Sequence, residues 1–117
     1  MTTQQVADRF YELSLQNAWD IIVTELYSND AKSIEPSGGI FTDAQGLDAI
    51  RAKSKQFGEM IVEMHGGYCS APLVAGKFFT CVMGMDVTMK GQPRMTLDEV
   101  AVYEVKDGKI VLEQFFF

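Results

Sequence analysis

One histidine, two cysteines and three prolines among 117 residues leave several kinds of chemistry without material. A metal centre needs three or four converging ligands, and neither Cys69 nor Cys81 has a His or Cys at ligand spacing, so no metal site is expected. The same scarcity excludes a disulfide scaffold and fits reduced, structural thiols in the cytoplasm. Basic residues are also thin, 10 against 16 acidic ones, for a formal charge of −6. They form no stripe of the kind that phosphate backbones require, which excludes nucleic acid as a partner. No apolar run approaches the roughly 20 residues that span a bilayer, and Met1 to Asp8 has neither the basic nor the apolar segment of a secretory leader. A soluble intracellular chain without membrane contact is the expectation. Ser37-Gly38-Gly39 and Gly66-Gly67 lack the lysine and glycine pattern of a phosphate loop, so both are read as turns and no nucleotide or other cofactor is implied.

What is present is an ordinary globular composition, 47% hydrophobic and 11% aromatic, in a length that suits one core and a single domain over residues 1–117. The first half has helical periodicity. Val6, Phe10 and Leu13 predict an amphipathic helix near 3–16 with Thr3 as N-cap and Tyr11 at its apolar edge. Trp19, Ile22, Val23, Leu26 and Tyr27 predict a second over 18–27, capped by Asn17 and ending at Ser28-Asn29-Asp30. Residues 31–36 read as a short strand closed by Pro36, which holds Glu35 extended. Leu47, Ile50 and Phe57 predict a third helix over 46–57, with Lys53 and Lys55 on its polar face.

From Met60 onward β-branched, aromatic and Met residues predict a meander of four strands, with turns near Gly66-Gly67, at Gly76, at Gly91 and at Asp107-Gly108. In Phe78–Met89 the face of Phe79, Cys81, Met83, Met85, Val87 and Met89 is assigned to the core. The parts assemble most simply as an α+β fold, three N-terminal helices packed on one side of a curved, mainly antiparallel sheet.

That order, with Leu26-Tyr27-Ser28-Asn29-Asp30-Ala31 before Ile34-Glu35-Pro36 and a closing Val102-Tyr103-Glu104-Val105-Lys106-Asp107-Gly108-Lys109-Ile110, resembles the nuclear transport factor 2-like superfamily and, within it, the SnoaL-like branch. The resemblance implies a cone-shaped half-barrel with a mainly apolar pocket at its open end. That setting is shared by ketosteroid isomerases, polyketide cyclases, dehydratases and non-enzymatic binding proteins, and several members dimerise through the sheet. On the isomerase pattern Glu35 falls on the general base and Tyr11 on the oxyanion-hole tyrosine. The second acid of that pattern lands on Val100 or Ala101, so Asp98 and Glu99 are the nearest carboxylates, and strand parity with Ala101, Tyr103 and Val105 favours Glu99. On the polyketide cyclase pattern His65 is the sole possible histidine.

Each residue also has a plainer reading. Glu35 suits a solvated strand end, Tyr11 a core-edge packer, His65 a structural strand histidine and Met83 a core gap filler. The functional reading makes Trp19, Phe41, Phe57, Met83 and Tyr103 the ligand-binding wall around Glu35, whose charged form then loses solvent. Two functions follow. One is a cofactor-free isomerase, cyclase or hydro-lyase acting by general acid–base chemistry on a small hydrophobic carbonyl compound. The other is a non-catalytic small-molecule-binding or association module. The apolar Phe115, Phe116 and Phe117 on both faces of the last strand predict a homodimer through the sheet.

Overall fold

The computed structural model describes residues 1–39 and 41–117. Helix α1 (Thr3–Leu15) buries Val6, Ala7, Phe10, Leu13 and Ser14, the stripe that its periodicity requires. Its N-cap is Thr2, one residue ahead of the expected Thr3, because Gln5 closes a reciprocal capping box with it. Asn17 caps nothing. It takes φ 54° in the turn, and α2 (Trp19–Leu26) starts from Ala18 without a side-chain cap.

The chain passes straight from α2 into β1 (Tyr27–Ile34), so Ser28-Asn29-Asp30 is strand rather than loop. The polar stretch is bracketed by paired residues: Lys32 and Ser33 pair with β2 (Ala44–Gln45), and Tyr27 and then residues 32–34 pair with β7 (Lys109–Phe116), with the register shift between Tyr27 and Lys32. Helix α3 (Leu47–Met60) runs three residues past the expected end, directly into β3 (Ile61–Cys69). Gly66-Gly67 lies within β3 and is no turn; the irregular register between Met64 and Gly66 bends the strand there. A short β4 (Leu73–Ala75) precedes β5 (Phe78–Met89) and β6 (Met95–Lys106). The turns expected at Gly76, Gly91 and Asp107-Gly108 are present, each with residues at positive φ.

The sheet order is β2-β1-β7-β6-β5-β3, with β4 beside β5. All pairings are antiparallel except β1 with β7. Mainly antiparallel therefore holds, but with seven strands instead of a short strand plus four, and with one parallel pair. One face is covered by the helices. There Phe10 packs against Phe79 and Tyr103 at centroid distances of 5.4 and 4.8 Å, with Trp19 edge-on to Phe10 at 5.9 Å. The other face leaves Val82, Val100 and Phe116 substantially exposed.

Candidate functional site

On the helix-covered face the register aligns side chains in rows across the strands. Cys69, Met83 and Glu99 form one row, Cys81, Ala101 and Phe115 the next, and Phe79, Tyr103, Glu113 and Ser33 the third. The first and third rows bring two carboxyls to this face, and the end of β1 adds Glu35.

Glu35 follows Ile34, its backbone N–H held by Asp43 Oδ1 at 2.9 Å. Its carboxylate does not stand alone in apolar surroundings as the sequence suggested. Lys53, less than two turns along α3 from Leu47, places Nζ 2.8 Å from Glu35 Oε1 and 2.6 Å from Ser33 Oγ. The Ser33 hydroxyl donates to Glu113 Oε2 at 2.7 Å, and the buried Tyr27 hydroxyl donates to Glu113 Oε1. Burial pushes the Glu113 carboxyl up, and the bonds from Tyr27 and Ser33, with the Lys53 charge, pull it back.

Glu99 is a half-buried carboxyl on the same face. Loss of solvent, then repulsion from Glu35 and Glu113, pushes its carboxyl up to about 7. Asp98 points the other way, accepting from Tyr68 at 2.6 Å over Gly84 on the open face. Burial likewise pushes the Tyr27 and Tyr103 hydroxyls well above the usual tyrosine range. Cys69 and Cys81 are free thiols on the helix-covered face, and the hydrogen-bonding interaction of one thiol with the other pulls Cys69 down to about 7 and pushes Cys81 up.

The other predicted site residues divide. Tyr11 is half-buried on α1, its carbonyl accepting from Ser14 Oγ at 2.7 Å, and the tyrosine bonded into the carboxyl cluster is Tyr27. His65 sits on the edge strand β3, its ring 2.8 Å from Thr88 Oγ1 and 3.6 Å from Glu63 on the open face, so it does not join Glu35 and Glu99. Tyr103 is not a pocket wall; it stacks on Phe79 at 4.8 Å and is core. Trp19 packs on that same core through Phe10. Phe41 and Phe57 pair edge-to-face at 5.7 Å, and Phe57 lies one helical turn beyond Lys53. Met83 is half-buried between Cys69 and Glu99.

An apolar cavity around Glu35 was expected; two clefts of the structure lie elsewhere. One of about 310 Å³ is lined by Asn29, Gln45, Gly46, Leu47 and Asp48. The other, about 380 Å³, lies on the open face by Tyr68, Gly84 and Asp98. Among the described residues no three His, Cys, Asp or Glu side chains are grouped to hold a metal ion. No helix is long and apolar enough to cross a membrane.

Sequence reasoning missed Glu113, Ser33, Tyr27 and the role of Lys53. The signal at Glu113 was hidden by a register shift in which Ile110 pairs with Val105 but Leu112 with Glu104, which reverses the parity of the strand after Val111.

Comparison with known proteins agrees with this architecture. A family model described as a SnoaL-like domain matches residues 1–117. A protein from Mesorhizobium loti, described as a candidate SnoaL-like polyketide cyclase, is 36% identical, with 100% of each chain covered and a TM-score of 0.94. An NTF2-like protein from Burkholderia thailandensis shares the fold at 19% identity, covering 99% of this chain and 90% of its own, with a TM-score of 0.83. So does a protein of ketosteroid isomerase-like fold from Catenulispora acidiphila, solved with trimethylamine, at 18% identity, 82% and 72% coverage and a TM-score of 0.69. No curated protein matches. Matched by the family model over its whole length and by a relative at 36% identity, the chain belongs to the SnoaL-like family and has the NTF2-like fold.

Proposed function

We propose that this chain is a small acid–base enzyme of the isomerase, cyclase or hydro-lyase kind, working on a small hydrophobic carbonyl compound with its own carboxyl groups. The observation that carries the reading is Glu99, a carboxyl pushed up to about 7 beside Glu35 and Glu113 on the helix-covered face. A group that is half protonated near neutrality serves equally as donor and acceptor, the condition under which general acid–base catalysis is most efficient. In this reading Glu35, the carboxylate met by Lys53, accepts a proton from the carbon next to the carbonyl. Glu99 donates a hydrogen bond to the oxygen on which the electron pair then gathers. Proton return to a second carbon gives an isomerase, and loss of hydroxide from the neighbouring carbon gives a hydro-lyase. The Phe41–Phe57 pair beyond Lys53 and the pliable Met83 supply apolar contact for the substrate. Tyr11 and His65 have no assigned step.

The reading extends to assembly and place. A homodimer closes over Val82, Val100 and Phe116 on the open face, burying on the order of 1,200–2,000 Å². The two free thiols suit the cytoplasm.

A panel of small enones, 1,3-dicarbonyls and β-hydroxy ketones tests the chemistry. Turnover of one of them is expected to fall by roughly 10²–10⁴-fold in Glu35→Gln, and Glu99→Gln should remove the titration near 7 from its pH profile. A specific observation favours a second reading, a binding module without catalysis: two clefts of about 310 and 380 Å³ lie away from the three carboxyls. Binding of a panel member with no turnover, unchanged by both substitutions, would select that alternative.

A further inference from the structure

The carboxyl cluster contains a buried chain of hydrogen bonds with a fixed polarity. Tyr27 donates to one oxygen of Glu113 and Ser33 to the other. Because the Ser33 proton is engaged by Glu113, the lone pairs of its oxygen are turned toward Lys53, whose ammonium donates to it at 2.6 Å and to Glu35 at 2.8 Å. Ser33 is wholly buried and sits opposite Glu113 in the parallel pairing of β1 with β7, so its hydroxyl has no solvent with which to exchange partners. A hydroxyl is a rotor with one proton. If Glu113 no longer accepts that proton, the rotor is free to turn it toward Lys53, where two donors face each other and the contact is lost.

We propose that Glu113 and Ser33 are positioning residues, which orient the Ser33 hydroxyl so that Lys53 is held in place and the Glu35 carboxylate is fixed beside it. The chain makes the last strand part of the site: a carboxyl on β7 governs a lysine on α3 through a hydroxyl on β1. The groups facing Glu113 are Tyr27, Ser33 and Glu35 from the β1 side, Lys53 from α3, and Tyr103 and Glu99 from β6. Of these, only Ser33 bonds both Glu113 and Lys53, which makes it the single relay between them. The assignment rests on the acid–base reading for the role of Glu35, but its structural content does not need a substrate.

The test follows the Lys53 ammonium of the ¹⁵N-labelled full chain by NMR. Free lysine ammonium protons exchange with water too fast to observe, whereas two hydrogen bonds in a largely enclosed site should slow them and give a signal correlated with Ser33. In Ser33→Ala and Glu113→Leu, which leaves no acceptor for the Ser33 proton, exchange should accelerate by about tenfold, the scale of one hydrogen bond to a charged group. Tyr27→Phe removes the other donor to Glu113 while leaving the relay, and should keep the ammonium exchange close to that of the unmodified chain. The backbone amide spectrum reports folding in each variant, and if Glu113→Leu does not fold, Ser33→Ala decides alone. Unchanged exchange in a folded Ser33→Ala overturns the proposal. So does Tyr27→Phe exchanging as fast as Ser33→Ala, since protection would then follow general stability and not the relay. Because no substrate enters the measurement, a chain that turns over nothing but keeps this pattern loses the acid–base reading and retains the relay.

Discussion

Lys53 Nζ lies 2.8 Å from Glu35 Oε1, with only 13% and 10% of the two side chains exposed. Such a pair has surrendered most of its hydration, and each charge depends on the other for compensation. Removing one partner should therefore cost far more than removing both. Lys53→Met is expected to lower the unfolding free energy by about 3–5 kcal/mol, as uncompensated buried charges do, while Lys53→Met with Glu35→Gln should recover most of the loss. Urea unfolding of the two single variants and the double variant, read as a cycle, checks this.

Glu99 gives the fold a pH signature of definite sign. Its folded value of about 7 lies above the ordinary 4.5, so between those limits the folded chain holds a proton that the unfolded chain has released. Stability should therefore fall as pH rises from about 4.5 to about 7 and then level off, as far as Glu99 is concerned. Glu99→Gln removes that slope. Thermal unfolding at pH 5 and pH 8 should show a smaller loss in the variant, which is expected to match or exceed the unmodified chain at pH 8. A variant with the same slope would assign the effect to Glu113, whose carboxyl is raised in the same direction by burial.

The contrast between the two acids shows what was legible in the sequence. Glu99 was found because Ala101, Tyr103 and Val105 keep an uninterrupted alternation, and parity carried from buried residues two, four and six places on. Glu113 lies on a strand of equal regularity to the eye, but the shift at Val111 turns it inward, and nothing local announces the shift. The helices were legible from their apolar spacing, to within three residues at each end. Strand β1 was underestimated because Ser28-Asn29-Asp30 is turn-like by composition, and the strand is carried through it by residues on either side, Tyr27 and Lys32, that pair with the distant β7. Glu35 was located through Pro36 and a resemblance, whereas its partner Lys53, 18 residues on, appeared as one polar residue on a helix face. Long-range pairing decides such contacts, and periodicity does not report it.

The tyrosine assignment yields a direct comparison. Tyr27→Phe takes one of two donors from a buried carboxyl and should cost about 1–3 kcal/mol of stability, the penalty of a buried polar group left short of a partner. Tyr11 is half-buried, and its hydroxyl is not among the donors to Glu113, so Tyr11→Phe should stay within about 0.5 kcal/mol. Denaturant midpoints at constant slope suffice to separate them. Equal losses would mean that the bond from Tyr27 to Glu113 contributes no more than an edge contact.

The open face supplies the last prediction. Register places Val82 opposite Val100 and Val100 opposite Phe116, so three strands present one continuous apolar row, with exposures of 40%, 41% and 49%. Single exposed apolar residues are ordinary, but an aligned row across a sheet is the form of an interface. A two-fold axis through such a row sets each residue against the same patch on a second copy, as isologous contacts require. Val100 is at the centre of the row, so Val100→Glu would bring two like charges together in a water-poor seam while remaining harmless in a monomer. Light scattering at tens of micromolar should report a particle of twice the chain mass for the unmodified protein and of the single chain mass for Val100→Glu. The variant's far-ultraviolet circular dichroism should be unchanged, because the substituted side chain points away from the core. A monomer in the unmodified chain refutes the dimer, and a Val100→Glu dimer of undiminished affinity moves the interface to another surface.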